Sequence, residues 1–453
     1  MSSEIPKKEY GEILEHTFFS QRWAKDVPRT INFEIWLARV PDCPEVSIIE
    51  WTCSLLVPSL NFSYSCYMEP LAKQIAKEFQ ERFHRVPVIV CAPGRINLIG
   101  EHVDYNDGYV LPAAIDKHLM FAIARNDIDK STIISRDLQE EVSFTPDQRA
   151  PGEKWINYFM GVVEGFDRRG IKLGGVDCVF GGTIPKGAGL SSSAALCCGF
   201  AFALNHLFEA KVNRLDLARI GQFSEHHFAG VKCGLMDQYA VLFGEPGAAL
   251  LIDCRSMTHH TMPFPSSPCT IVLVDTHVKH TLATSAYNER RATCERGVAV
   301  LGKIHEEVRS LRDSSRDQLI EHRELLGDDV FTKCLFVVDE ISRTREAASK
   351  LLGGDLAAFG KLMFQSHDGL RTQYAVSCDE LDFLVGIARE NPHMVMGARM
   401  VGGGFGGCTI NLVVTEHLEE FTALVLKEYF AFCGITPHFY PVTISGGVHI
   451  VSN

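Results

Sequence analysis

The chain has 453 residues, 46% of them hydrophobic and 22% charged, with a formal net charge of −12 and a mean hydropathy of +0.03. That length suits two or three domains around a large core. The acidic balance argues against a nucleic-acid-binding surface, but it leaves room for a polyanionic small ligand neutralised by a few basic residues and a metal. No apolar run approaches the ~20 residues of a membrane-spanning helix, and the first thirty residues lack the layout of a secretion signal. The fifteen cysteines contain no Cys-x-x-Cys pair, so free thiols and a cytoplasmic location are expected.

In chain order, residues 1–67 differ in character from the rest of the chain: they hold three tryptophans and three cysteines, with no clear period between Trp51 and Pro58. They are expected to be an extension outside the fold, with Met68 as the start of the functional protein. From Glu69 the spacing predicts an amphipathic helix, and Val86-Pro-Val-Ile-Val-Cys predicts a buried strand ended by Ala92-Pro-Gly. A strand over 174–180 precedes a Gly/Ser segment, and helices are expected over 214–228 and 236–242. Strands over 248–254 and 269–275 flank a Pro/Ser-rich link at 263–268, which is the expected domain boundary. Helices over 288–301, 355–373 and 381–389 lead to a strand pair around Gly402-Gly-Gly-Phe-Gly-Gly. The expected class is α+β, in two lobes.

Three clusters carry chemistry. Residues 93–106 crowd Arg95, Asn97, Glu101, His102, Asp104 and Asn106 into a Gly-bounded turn after the first strand. Such crowding costs desolvation unless the groups bind something or each other. A ligand with several hydroxyls, such as a sugar, would satisfy them. A His-x-Asp metal pair and a solvated loop are the competing readings.

Residues 185–195 read Pro185-Lys-Gly-Ala-Gly-Leu-Ser-Ser-Ser-Ala-Ala and run into an apolar stretch over 196–208. The glycines permit close backbone approach, and the serines open a helix whose free N–H groups suit an anion. This is not a Walker loop, and a Ser-capped core helix is the plain alternative. Downstream, Ser193 and Glu225 offer the hard oxygens that Mg²⁺ prefers. Asp237 sits at a helix start, where an N-cap or a buried hydrogen-bonded carboxylate would also belong. The third cluster, Gly402-Gly-Gly-Phe-Gly-Gly-Cys, demands a sharp turn or a close approach. It is either a glycine-rich cover over phosphates or a plain hairpin with bulges. His226, His227, His259, His260, His277 and His280 lack companions at metal-ligand spacing and read as surface or core residues.

In this order and spacing the clusters resemble the three signature motifs of the GHMP small-molecule kinases. The run from Gly94 through Glu101-His-Val-Asp-Tyr-Asn to Pro112 resembles the signature specific to the galactokinase family. The similarity runs from about Met68 to the C-terminus. It implies a two-lobed α+β GHMP kinase fold. The N-terminal lobe, over 68–262, would be ribosomal-protein-S5-domain-2-like and the C-terminal lobe, over 269–453, ferredoxin-like.

The resemblance also implies transfer of the ATP γ-phosphate to the anomeric hydroxyl of α-D-galactose, with Mg²⁺ as cofactor. By position, Asp237 matches the catalytic base, and Arg95 matches the arginine that pairs with it and stabilises the transferring phosphoryl. Glu101, His102 and Asp104 match galactose-hydroxyl ligands, and Tyr287 matches a tyrosine that contacts the sugar. Gly187, Ala188, Gly189, Leu190, Ser191, Ser192 and Ser193 match the ATP phosphate loop. Ser193 and Glu225 match the Mg²⁺ pair, and Ser135 matches a serine near the nucleotide. A monomer acting on small molecules, without nucleic-acid or membrane partners, completes the expectation.

Other relatives fit less well. N-acetylgalactosamine kinases share the motifs, but the run from Asp104 to Pro112 follows the galactokinase form. Non-catalytic galactose sensors have a shortened Ser-Ala stretch, whereas Ser191-Ser-Ser-Ala-Ala is uninterrupted. GHMP kinases for mevalonate-type or amino-acid substrates lack Glu-His-x-Asp-Tyr.

Overall fold

The computed structural model describes residues 61–145, 155–185, 187–279 and 283–452. Most of the expected extension, residues 1–60, lies outside the described residues, as do Lys186 and His280. Helix α1 (Asn61–Phe83) begins ahead of Met68, so the change of sequence character there falls inside a helix. Chain order then gives β1 (Val88–Asn97), the short β2 (Tyr109–Val110), the long β3 (Pro112–Arg125) and the hairpin of β4 (Ser131–Ser135) and β5 (Glu140–Phe144). Next come α2 (Ile156–Asp167), β6 (Val176–Gly182), α3 (Ser192–Leu207) and α4 (Arg214–Ser224), which continues into a π-turn at Glu225–Ala229. Helix α5 (Met236–Phe243) leads into the hairpin of β7 (Ala248–Asp253) and β8 (Thr258–Pro263).

In the second half, β9 (Cys269–Lys279) is followed by the longer helices α6 (Ala283–Leu301), α7 (Asp328–Leu352), α8 (Leu356–Thr372) and α9 (Asp379–Glu390). The chain ends with β10 (Val395–Met400), β11 (Gly406–Val414), α10 (Leu418–Cys433), β12 (His438–Val442) and β13 (His449–Ser452).

The first sheet has the order β13-β1-β3-β6-β4-β5, the second β10-β11-β9-β12, and a small third sheet β2-β7-β8. Strand β1 is largely apolar because both faces of its sheet are covered. Ile89 and Cys91 point to α1, where Ile75 and Phe79 pack on them. Val90 and Ala92 point into the main core, built with Phe159, Phe200 and Ile220 from α2, α3 and α4.

Several elements depart from the sequence expectation. The Pro/Ser link is shorter than expected, since β8 takes residues 258–263, and it joins the third sheet to the second. The end of the chain does not stay with the second lobe. β13 pairs antiparallel with β1 and covers what would otherwise be an open sheet edge.

Helix α8 lies so close to β10 that a Cβ at Gly360 would come within 2.0 Å of the Met396 carbonyl oxygen. Gly360→Ala must therefore push the helix off the sheet. We expect a loss of about 1–3 kcal/mol of stability, measured as a lowered urea midpoint with an unchanged slope.

Candidate active site

Arg95 and Asn97 prove to be strand residues rather than turn residues. The register between β1 and β3 shifts between Pro93 and Arg95, so Pro93-Gly94 bends the strand through a bulge and does not end it. Arg95 is buried, at 4% exposure. Its Nε and Nη2 each donate at 2.6 Å to Oδ1 and Oδ2 of Asp237, the second residue of α5. Its Nη1 donates at 2.6 Å to the Gly189 carbonyl. Burial works against the arginine's charge, but the adjacent Asp237 carboxylate outweighs it and raises the pKa above the ordinary value.

Ser191, the N-cap of α3, has a left-handed backbone with φ +55°. Its hydroxyl donates to Asp237 Oδ2 and makes no cap bond, so the first-turn N–H groups of α3 have no side-chain cap. The plain reading of a Ser-capped helix therefore fails for a physical reason: the capping hydroxyl is spent elsewhere. Beside it, Ser193 Oγ donates at 3.2 Å to Glu225 Oε2, and Gln238 Nε2 donates at 2.8 Å to Glu225 Oε1. Burial, then the nearby Asp237 charge, raises the Glu225 pKa to about 7. The π-turn starts at Glu225, and such turns often mark functional sites.

On the other side of Arg95, the 101–106 turn supplies the remaining polar groups. Glu101 Oε2 accepts at 2.6 Å from Nη2 of Arg399, a fully buried residue of β10. The same guanidinium donates to the carbonyls of Asn97, Leu98 and Met400. His102 adopts φ +63°, is 3% exposed, and lies 5.1 Å from the Tyr287 ring. Burial lowers its pKa to about 3, so the imidazole is neutral. The Asp104 carboxylate rests against Gly234, where a Cβ would come within 2.0 Å of Oδ2. Burial first, and then the Asp237 charge, raises its pKa to about 7. His102 turns to Tyr105 while Asp104 turns to Gly234. Among the described residues no cluster of three or more His, Cys, Asp or Glu side chains could hold a metal ion.

The third cluster closes the wall. The loop joining β10 and β11 carries positive φ at Gly402, Gly404 and Phe405, and the first residues of β11, Gly406 and Gly407, do as well. It meets the 187–189 loop backbone to backbone: a Cβ on Gly402 would lie 3.2 Å from the Gly189 carbonyl oxygen. The hairpin and cover readings thus describe one object, a hairpin connection packed onto the candidate phosphate loop.

One cavity of about 330 Å³ gathers these groups. It is lined by Arg95, Glu101, His102, Asp104 and Tyr287 on one side. Gly187, Gly189, Leu190, Ser191, Ser192, Ser193, Glu225 and Asp237 line the other, under Gly402, Gly403 and Gly404. Two expected residues stand apart. Ser135 is buried in β4, paired with Glu140 and Phe180, and Ala188 turns into the main core. Arg399, Gly234 and Gln238 were not expected. Arg399 had a readable signal, a lone arginine in an apolar strand ahead of the glycines; Gly234 and Gln238 had none.

An anion-ready helix start, a hydrogen-bonded acid–base cluster and a polyol-shaped polar wall in one cleft define a small-molecule kinase of the GHMP type. Family comparisons agree: the GHMP kinases N terminal domain matches residues 157–245 and the GHMP kinases C terminal domain matches 346–430. The galactokinase galactose-binding signature matches residues 77–125.

The galactokinase of Roseiflexus sp. (strain RS-1) is 41% identical over 378 residues, covering 83% of this chain and 96% of that protein. That of Mannheimia succiniciproducens is 38% identical, covering 84% of this chain and all of the relative (100%). Among solved structures, Lactococcus lactis galactokinase complexed with galactose superposes with a TM-score of 0.80 at 32% identity, covering 84% of this chain and 99% of that one. Methanococcus jannaschii mevalonate kinase, at 18% identity, 80% and 99% coverage and a TM-score of 0.56, shares the fold. The chain belongs to the galactokinase family, and its two-lobed α+β fold is that of the GHMP kinases.

Asp104 gives this site a pH signature. With a folded pKa of about 7 against an ordinary value of 3.8, it holds its proton in the folded protein where the unfolded chain has released it. Its contribution to stability is fully present below about pH 4 and is lost as pH rises through about 7. Asp104→Asn is therefore expected to gain stability relative to wild type across that window, read from urea midpoints at successive pH values. Parallel profiles would put the carboxyl at its ordinary value.

Proposed function

We propose that this chain transfers the γ-phosphoryl group of ATP to the anomeric hydroxyl of α-D-galactose. The product would be galactose 1-phosphate, formed in the first committed step of galactose catabolism by the Leloir pathway. The observation that carries this reading is the placement of Asp237. It is shared between Arg95 and Ser191 where the polyol wall of Glu101, His102 and Asp104 meets the glycine loop.

In this reading, Glu101, His102, Asp104 and Tyr287 hold the sugar, and the uncapped N–H groups of α3 with the 187–193 backbone receive the phosphates. Asp237 accepts the proton of the attacking hydroxyl, and Arg95 faces the charge of the transferring group. Both Asp237 oxygens already accept hydrogen bonds from Arg95, and Oδ2 accepts another from Ser191. These bonds fix the carboxylate beside the attacking hydroxyl, so catalysis rests on positioning and charge stabilisation, as expected for a loose phosphoryl-transfer transition state.

Mg²⁺ fits the Ser193–Glu225 pair. The donors are two hard oxygens, and among the described residues no cationic side chain is bonded to the buried Glu225 carboxylate. Ser193 and Glu225 would hold the ion, which would supply positive charge against the charge developing on the transferring group. The described cysteines are free thiols and no described helix is long and apolar enough to cross a membrane. We propose a cytoplasmic monomer acting on small molecules alone.

ATP-dependent phosphorylation measured across galactose, N-acetylgalactosamine, glucose and mevalonate tests the substrate. Galactose is expected to lead, and a preference for the acetylated sugar would overturn the reading. Asp237→Asn is expected to keep galactose binding while turnover falls by about 10²–10⁴-fold; substantial turnover would remove Asp237 from the base role. Ser193→Ala is expected to raise the Mg²⁺ concentration needed for half-maximal rate, with galactose KM unchanged.

A further inference from the structure

Behind His102, hydrogen-bonding side chains run from the sugar-side turn into the second half of the molecule. His102 Nδ1 lies 2.8 Å from the Tyr105 hydroxyl, which lies 2.9 Å from the Tyr374 hydroxyl. The Tyr374 hydroxyl in turn lies 3.3 Å from Cys294 Sγ. Tyr374, just beyond α8, is fully buried, and Cys294 in α6 is 1% exposed. The rings also pack around the imidazole, with Tyr374 tilted against it at 4.9 Å between centres. Two phenols and a thiol at such depth cost desolvation unless each proton has an acceptor.

Counting donors and acceptors gives the chain a direction. The Gly403 carbonyl, 3.3 Å from His102 Nε2, can only accept, so Nε2 carries the ring proton. The ring is neutral, which leaves Nδ1 as an acceptor. The Tyr105 hydroxyl must then donate to Nδ1, and its oxygen accepts from Tyr374. The single Tyr374 proton being used, its oxygen accepts from the Cys294 thiol. Asn106 closes the network: it donates at 3.1 Å to the His102 carbonyl and also hydrogen-bonds the Cys294 side chain.

We propose that Tyr374 and Cys294 are positioning residues for the sugar: acting through Tyr105, they lock His102 in the Nε2–H tautomer, so that the cavity wall beside Gly403 presents a donor. The contact to Gly403 is long for an N–H···O bond, so this N–H can be shared with a sugar hydroxyl. A nitrogen that only donates requires that hydroxyl to accept, and its own proton then goes to a neighbouring carboxylate. The second lobe would thus set which hydrogen-bond pattern the first lobe accepts. This rests on the galactose reading above for its ligand, but not for the tautomer.

The test combines spectroscopy with kinetics. In ¹⁵N-histidine-labelled protein without substrate, His102, identified by its loss in His102→Gln, is expected to show a protonated Nε2 and an unprotonated Nδ1. A protonated Nδ1 in the wild type would overturn the proposal, whatever the variants do. Tyr374→Phe and Cys294→Ala are expected to give mixed tautomers. Galactose KM should rise about tenfold, the worth of one hydrogen bond, with kcat within about twofold by the same measure. Cys294→Ser, which keeps a donor, should restore both readouts. If serine fails as fully as alanine, or if both truncations leave tautomer and KM unchanged, the residues only fill space. Should galactose not be a substrate at all, turnover would be absent with the tautomer intact, which separates that failure from this one.

Discussion

The pair between buried Arg95 and part-buried Asp237 is the constraint on which the site depends. It joins the end of β1 to the start of α5, and through Gly189 and Ser191 it also holds the loop and first turn of α3. Taking two charges out of water is expensive, and here both partners gain further bonds: Arg95 also donates to the Gly189 carbonyl and Asp237 also accepts from Ser191. Such a pair adds little net stability, yet breaking it by removing one partner costs about 3–5 kcal/mol. The strand, loop and helix are therefore held in one relative geometry. That geometry puts a carboxylate oxygen at the seam between the polyol wall and the anion-ready helix start.

The second half of the chain completes this frame with backbone and charge. A Cβ on Gly402 would lie 3.2 Å from the Gly189 carbonyl oxygen, and one on Gly189 would lie 3.2 Å from the Val401 carbonyl oxygen. Arg399 reaches across to bond Glu101 and the carbonyls on either side of the β1 terminus. The returning strand β13 fastens the chain's end onto β1 itself. The cavity is thus a product of lobe association, and its Glu101 side is gripped from both lobes.

Much of the site was legible because its chemistry is written in local runs. Glycines at 187 and 189, three serines and the crowded 101–106 turn announce themselves by composition within a few residues of one another. What was missed acts over distance. Arg399 and Glu101 are separated by 298 positions, and nothing near Gly234 in sequence reveals that Asp104 occupies the space of its absent side chain. The fold shows the same division. The helices at 192–207 and 236–243 follow clear apolar runs. In β3 the polar trio Asp116, Lys117 and His118 interrupts the apolar pattern, and only pairing with β1 and β6 makes it a single strand. The bulge at Pro93-Gly94 misled for a related reason: a turn-forming pair bends a strand when pairing with a neighbour, here β3, continues before and after it.

Charge sets the remaining condition. Four carboxylates, Glu101, Asp104, Glu225 and Asp237, face one small cavity against two buried arginines, Arg95 and Arg399, and both arginines are already paired. Burial first, and then the Asp237 charge, raises Asp104 and Glu225 to about 7 each, which disfavours carrying all four charges at once. A phosphate chain entering here adds charge of the sign already in excess. The helix dipole alone offers roughly 0.3–1 kcal/mol per favourable charge, too little to offset that excess. On the proposed function, a phosphate chain on this loop brings cationic charge with it, and Glu225 beside Ser193 is the face proposed to hold that charge. The side proposed for the sugar needs no such partner, because a neutral polyol satisfies carboxylates by donating hydrogen bonds to them. One cavity would in this way bind two chemically opposite substrates side by side, with Asp237 between them.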